Sequence, residues 1–333
     1  MTTVRVAVDA MGGDRAPEEI VAGALEARSN ALEPILFGRA SLLDPLADGL
    51  EVVDAPSVVA MDEKPADACR TKRDSSLFAV CCAVADGRAD AAVSAGNTGA
   101  LLAAGLLELR RLRDVHRPAI AVPIPSFRGP SVLIDAGANA DARPEHLVQF
   151  GHMGAVFSSE ILGVANPSVA LLSIGEEPEK GNRLVRESHD LLTSSGLRFA
   201  GNVEGRDLLA GAADVVICDG FTGNVSLKAL EGTILTTLGA LREEIAATST
   251  GKLGGLLIRP AARRLRRRLD PDTYGGAFLL GLRGIVVSAH GSSGRTAAAN
   301  AIRLAARGVE AGVVERLEAT LAAKREPAAS TVE

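Results

Sequence analysis

The chain has 333 residues, 47% apolar and 23% charged, a globular composition long enough for one large α/β domain or two ordinary ones. A net charge of −5 with 3% aromatic residues and no tryptophan excludes a global polyanion-binding surface and leaves little to stack on nucleic-acid bases. The four cysteines (Cys69, Cys81, Cys82, Cys218) form no C-x-x-C pair and no zinc spacing, so they read as reduced, buried thiols suited to the cytosol.

In chain order, VRVAVD (4–9) predicts a strand rather than a signal peptide, and it leads through MGGD to a helix with Pro17 near its first turn. ILF (35–37) and VVA (58–60) read as short strands, and 75–86 as a helix. AAVSA (91–95) is a buried strand entering a helix over 99–111. The uncharged run 91–107 nears membrane-spanning length, but the polar and glycine residues at 94–99 resolve it into strand, turn and helix. AIAVPI (119–124) and SVLIDA (131–136) follow as strands, with Pro123 marking an edge or a strand end. Next come a helix over 144–162, the strand SVALLSI (168–174), a helix over 182–194, the strands LRFAGNV and ADVVICD, and a long helix over 221–247. In KLGGLLIRPAARRLRRRLD (252–270), Pro260 predicts a break into two helices, making 225–270 a protruding helical segment. YGGAFLLGL, the strand IVVSAH and a terminal helix from about 293 complete the chain, and KREPAASTVE (324–333) reads as a frayed tail. Alternating strands and helices with continuously apolar strands predict a mostly parallel sheet sandwiched by helices.

Two stretches read almost alike: ADAAVSAGNTG (89–99) and ADVVICDGFTG (213–223). VAVDAMGGDRAPEE and VLIDAGANADARPEH form a second such pair, each ending a strand in Asp-Ala and entering a helix at Pro-Glu. The spacings agree, 135 − 9 = 126 and 214 − 90 = 124. One domain over 1–333 is expected; convergent loop design is the readier account of the likeness, and the alternative is two quasi-repeated halves, about 1–130 and 131–300. Loops after strand C-termini of a parallel sheet form the ligand crevice. Gly-x-Thr-Gly entering a helix exposes backbone N–H groups and a hydroxyl to an oxyanion. The plainer alternative is an ordinary turn and cap. Neither turn is a Walker loop, and no G-x-G-x-x-G is present, so a dinucleotide fingerprint is missing. GEEPEKGN (175–182) is either a solvated turn or a loop bringing Lys180 and Asn182 to an anion. HGSSGR (290–295) offers His290 and Ser292 to a substrate, or Ser292 or Ser293 as a helix cap; no G-x-S-x-G elbow supports a serine nucleophile. His146 and His152 fall on different helix faces, so no metal pair is supported. Leucines 253, 256 and 257 beside Arg263, Arg264, Arg266, Arg267 and Arg268 suit a solvated face, an anionic lipid surface or an acidic partner.

Taken together, DAMGGD (9–14), RTKRDSS (70–76), SAGNTGALL (94–102), DAGANAD (135–141), KGN (180–182), GNVE (201–204), CDGFTGN (218–224), YGG (274–276) and AHGSS (289–293) resemble the PlsX phosphate acyltransferases of bacterial phospholipid synthesis. The resemblance covers nearly the whole chain. It implies transfer of an acyl group from acyl-[acyl carrier protein] to inorganic phosphate, without cofactor or metal. It also implies a homodimer peripheral to the membrane, acting with a membrane-bound glycerol-3-phosphate acyltransferase. The implied fold is akin to phosphotransacetylase and the isocitrate dehydrogenase group. Arg15 departs from the pattern, which carries His there. Phosphate is itself the nucleophile in this chemistry, so the enzyme has to collect it, aim it and stabilise an oxyanion. A thiol of pKa roughly 8.5 leaves without a strong general acid. Lys180 and Asn224 are then the expected catalytic residues, with Asn97, Thr98, Gly99, Asn139, Asn182, Thr222, Gly223, His290 and Ser292 binding substrate. Leu253, Leu256, Leu257, Arg263, Arg264 and Arg267 would contact membrane or carrier protein. The alternatives are an acyl-coenzyme A donor, an oxidoreductase of the same fold group, and a non-catalytic membrane-surface binding protein.

Overall fold

The computed structural model describes residues 3–270 and 273–323. Its strands are β1 Val4–Asp9, β2 Leu32–Gly38, β3 Glu51–Asp54, β4 Ala91–Ser94, β5 Ala119–Ile124, β6 Ser131–Ile134, β7 Val169–Ser173, β8 Phe199–Glu204, β9 Val215–Ile217, β10 Ala277–Leu280 and β11 Ile285–Ser288. Its helices are α1 Glu18–Ala27, α2 Ala40–Leu43, α3 Pro65–Thr71, α4 Ser76–Ala85, α5 Thr98–Glu108, α6 Pro144–Leu162, α7 Arg183–Thr193, α8 Gly220–Ala247, α9 Ser249–Leu269, α10 Arg295–Glu310 and α11 Val313–Ala323.

The strands form one sheet in the order β3-β2-β1-β4-β11-β10-β5-β6-β9-β7-β8. One parallel block holds β1, β2, β3, β4 and β11. A second holds β6, β9, β7 and β8. Between them β10 and β5 pair antiparallel to their neighbours, so the second block runs opposite to the first. In β1, Val4, Val6 and Val8 enter one core cluster and Ala7 the other. Burial on both faces is why these strands read as continuous apolar runs. Helices α1, α6, α10 and α11 cover one face, where Phe157 meets Phe278 edge-on at 5.1 Å. Helices α4, α5 and α8 cover the other.

Several expectations need correcting. Residues 58–60 are irregular, and the third strand is Glu51–Asp54. The carbonyl of Val58 is taken by Lys72 Nζ at 2.9 Å, and that of Ala60 accepts from Asn97, so side chains occupy groups a sheet would use. Pro123 lies inside the sheet rather than at its edge, and the strand-end reading holds: it is the last residue but one of β5, paired with Val132 of β6 but past Ala121, the last β5 residue paired with β10. The break expected at Pro260 does not occur, because α9 runs unbroken from Ser249 to Leu269. The chain turns instead at extended Thr248, whose hydroxyl accepts from the Gly251 N–H at 3.0 Å. A helix-interior proline costs about 3 kcal/mol. On a helix with no buried residue, water takes the freed carbonyl, and the surrounding helix formers carry α9 through. The repeat is local: β1 pairs β4 and β6 pairs β9, but β2 lies beside β1 whereas β7 lies beside β9. The tail 324–333 lies outside the described residues.

Candidate active site

A cavity of about 440 Å³ opens over the central strands β5 and β10. Its floor is apolar, built by Ile120, Val122 and Pro123 of β5, Leu102 of α5 and Leu227 of α8. Its polar wall is gathered from both blocks: Thr98 after β4, 288–293 after β11, Gly137 after β6, and Asn224 and Lys228 on α8.

The two Asp-Ala loops are held by buried carboxylates. Asp135, fully buried, accepts the backbone N–H groups of Ile120, Gly137, Ala138 and Asn139 at 2.8–3.1 Å. Asp9 accepts the Ser94 hydroxyl at 2.6 Å and the Met11 N–H at 3.2 Å. Burial pushes the Asp9 carboxyl above its ordinary 3.8, and these donors offset only part of that. The recurring Asp therefore organises a loop around one acceptor.

The two Gly-x-Thr-Gly turns serve different cavities. Asn97 caps α5, accepting the Ala100 N–H at 3.0 Å and donating to the Met61 and Glu63 carbonyls at 3.0 and 2.8 Å, so its amide is fully used within the fold. Thr98 lines the main cavity, 3.1 Å from Ser288 Oγ, and Gly99 is beside it. In the second turn Asp219 caps α8, accepting the Thr222 N–H at 2.9 Å and its hydroxyl at 2.7 Å. Thr222 is thereby turned to a smaller cavity of about 270 Å³, shared with Asn182, which caps α7 through the Val185 N–H at 2.9 Å. A Cβ at Gly223 would overlap the Asp135 carbonyl oxygen and lie 2.9 Å from Cys218 Sγ, so glycine lets α8 start close against the β6 loop. Asn224 then faces the main cavity. Its Nδ2 donates to the Ala136 carbonyl at 3.2 Å and passes Gly137, whose φ of 144° suits glycine alone.

Of the nominated residues, Thr98, Gly99, Asn224, His290 and Ser292 meet in the main cavity, and Asn182 and Thr222 in the smaller one. Lys180, Asn97, Asn139 and Gly223 line neither. Lys180 is exposed, and Asn139 donates to the Pro118 carbonyl and Asp135, both at 2.8 Å. Neither serine caps α10, whose N-cap is Gly294, without a side-chain cap. Leu253, Leu256 and Leu257 are exposed, as are Arg263, Arg264 and Arg267. At about 100° per residue these six share one side of α9.

Sequence reasoning missed three groups. Lys228 is the only lysine or arginine lining the main cavity among the described residues. Its Nζ lies 2.8 Å from Glu231 Oε2 and 3.2 Å from His290 Nε2, and His290 Nδ1 lies 2.8 Å from Ser292 Oγ. Positions 224, 228 and 231 recur at helical spacing, a signal that the nominated Asn224 already offered. Ser293 Oγ, buried in the cavity wall, has no partner among the described residues. Burial pushes the thiols of Cys81 and Cys218 well up and raises those of Cys69 and Cys82, which are only half-buried, so none is an activated nucleophile. Among the described residues no group of three His, Cys, Asp or Glu is placed to hold a metal ion.

The family described as Fatty acid synthesis protein matches residues 4–316. The phosphate acyltransferase of Heliobacterium modesticaldum is 45% identical over 333 residues, 97% of this chain and 99% of its own. That of Desulforudis audaxviator is 46% identical over 334 residues, 99% of this chain and all of its own. The chain belongs to the phosphate acyltransferase family. Acyl transfer to phosphate is thus the activity of this chain. Among solved structures, a phosphotransacetylase from Streptococcus pyogenes superposes with a TM-score of 0.62 at 17% identity, covering 92% of this chain and 94% of that one. A branched-chain phosphotransacylase from Enterococcus faecalis gives 0.58 at 18%, covering 92% and 99%. These likenesses show the fold, an α/β sheet shared beyond the family.

Proposed function

We propose that the 440 Å³ cavity passes the acyl group of an acyl-[acyl carrier protein] thioester to inorganic phosphate, feeding phospholipid synthesis. The observation that carries this is a single cation, Lys228, set with His290, Asn224 and Ser293 above an apolar floor. A phosphate oxygen forms the new bond to the thioester carbonyl carbon. The carbon–sulfur bond breaks, and its electron pair leaves on sulfur. The proton of hydrogen phosphate ends on the thiol, so atoms and charge balance without a cofactor or a covalent enzyme intermediate. Lys228 meets the phosphate charge, Asn224 and Ser293 supply neutral donors for the developing oxyanion, and His290 carries the proton between the two substrates.

The exposed arginine side of α9 suits an acidic carrier protein as acyl donor. The leucines near the α8–α9 turn favour shallow, peripheral contact with a membrane that holds an acyltransferase consuming the acyl phosphate. Exposed Phe221 and Val225 on α8 favour a homodimer. The test is free-thiol release from acyl-carrier thioester with and without phosphate. Release should require phosphate; equal release without it would make the protein a hydrolase.

A further inference from the structure

The polar groups of the cavity hold the reacting carbonyl, but a fatty chain attached to it has to leave along apolar surface. Glu231, His290 and Ser292 wall both this cavity and a second one of about 250 Å³ between α8 and α9, so the two adjoin across these side chains. Beyond those three residues the second cavity is lined by Ile234, Leu235, Leu238 and Leu269, with Arg266 and Asp270 at its polar edge. Apolar residues recur along the same side of α8 from Leu227 in the cavity floor to Leu238, and Lys228 to Leu238 spans roughly 15 Å of helix. Leu235 is 71% exposed on the wall of this groove, apolar surface left open to water beside a catalytic cavity.

We propose that the groove between α8 and α9 holds the straight acyl chain of the thioester substrate, with the carbonyl at the Lys228–His290 end and the chain running toward Leu238. This rests on the acyl-transfer reading of the main cavity. The groove then sets chain-length preference, because each methylene buried there adds a hydrophobic increment, worth roughly fourfold in kcat/KM by general transfer free energies.

The experiment compares palmitoyl and butyryl esters of acyl carrier protein. Leu238→Trp fills the far half of the groove, and Leu235→Asp places a charge on its exposed wall, where the core is not disturbed. Both variants should lower the palmitoyl-to-butyryl ratio of kcat/KM by more than about tenfold, the loss of two or more buried methylenes, with the KM for phosphate unmoved. If both variants lose both esters equally, or keep the wild-type ratio while Val122→Phe on the cavity floor changes it, the chain lies elsewhere and the proposal fails. Wild-type protein that releases no phosphate-dependent thiol from either ester overturns the activity itself, and the groove's occupant with it.

Discussion

Lys228→Met keeps most of the side chain's length and removes the one cation that lines the main cavity among the described residues. A doubly charged phosphate about 4 Å from Nζ would gain about 2 kcal/mol in a water-like dielectric and about 8 kcal/mol at an effective value of 20. The lysine side chain is 51% exposed and Glu231 lies 2.8 Å from it, so water and a competing carboxylate hold the effect near the low end. Two kcal/mol is roughly a 30-fold change in an equilibrium constant. Thiol release measured against phosphate concentration should therefore show a KM for phosphate raised roughly 30-fold in Lys228→Met. Lys228→Arg should recover part of the loss, and Lys180→Met should change little. The gap between wild type and Lys228→Met should narrow as salt is added. An unchanged phosphate KM in Lys228→Met, together with a raised one in Lys180→Met, would place the phosphate in the 175–182 loop and refute the reasoning.

Gly223→Ala should destabilise the protein by about 3 kcal/mol or more, because the new methyl meets a buried backbone carbonyl that has nowhere to move; urea unfolding measures it, and a wild-type midpoint would mean α8 starts farther from β6. The Asp9 carboxyl, raised by burial, holds its proton to higher pH in the folded chain than in the unfolded one. Its stabilising contribution is therefore present below the ordinary 3.8 and lost as pH rises toward the raised value. The stability of Asp9→Asn relative to wild type should accordingly increase with pH above about 4, and a flat or falling difference between pH 4 and 7 would contradict the assigned direction. Leu253→Glu with Leu257→Glu should abolish salt-sensitive binding to anionic vesicles while soluble carrier substrate is still turned over, since both leucines are exposed and neither lines the cavity. Wild-type protein that ignores such vesicles would refute the membrane contact.

Local chemistry was legible in the sequence wherever neighbouring residues decide it. Apolar runs buried on both faces announced β1, β4, β5, β6 and β11, and the glycine turns announced where strands hand over to helices. The motif set, spread along nearly the whole chain, identified the family before any contact was known. What a turn faces is not local. Thr98 and Thr222 share a motif, yet one side chain meets Ser288 in the main cavity and the other is tied to Asp219 over the smaller one. Only the antiparallel pair β5–β10, which reverses the second block of the sheet, decides which loops converge. The same holds for Lys228, which stands one helical turn past the CDGFTGN motif and becomes the cavity's cation because α8 crosses the cleft beside His290. Pro260 gives the opposite case, a strong local signal overridden because an exposed helix can hand a lost backbone bond to water. Sequence by itself determined most of the elements and the chemistry they carry. The tertiary structure decided which of those groups share one space, since that depends on strand order and helix crossing, and no run of neighbouring residues encodes either.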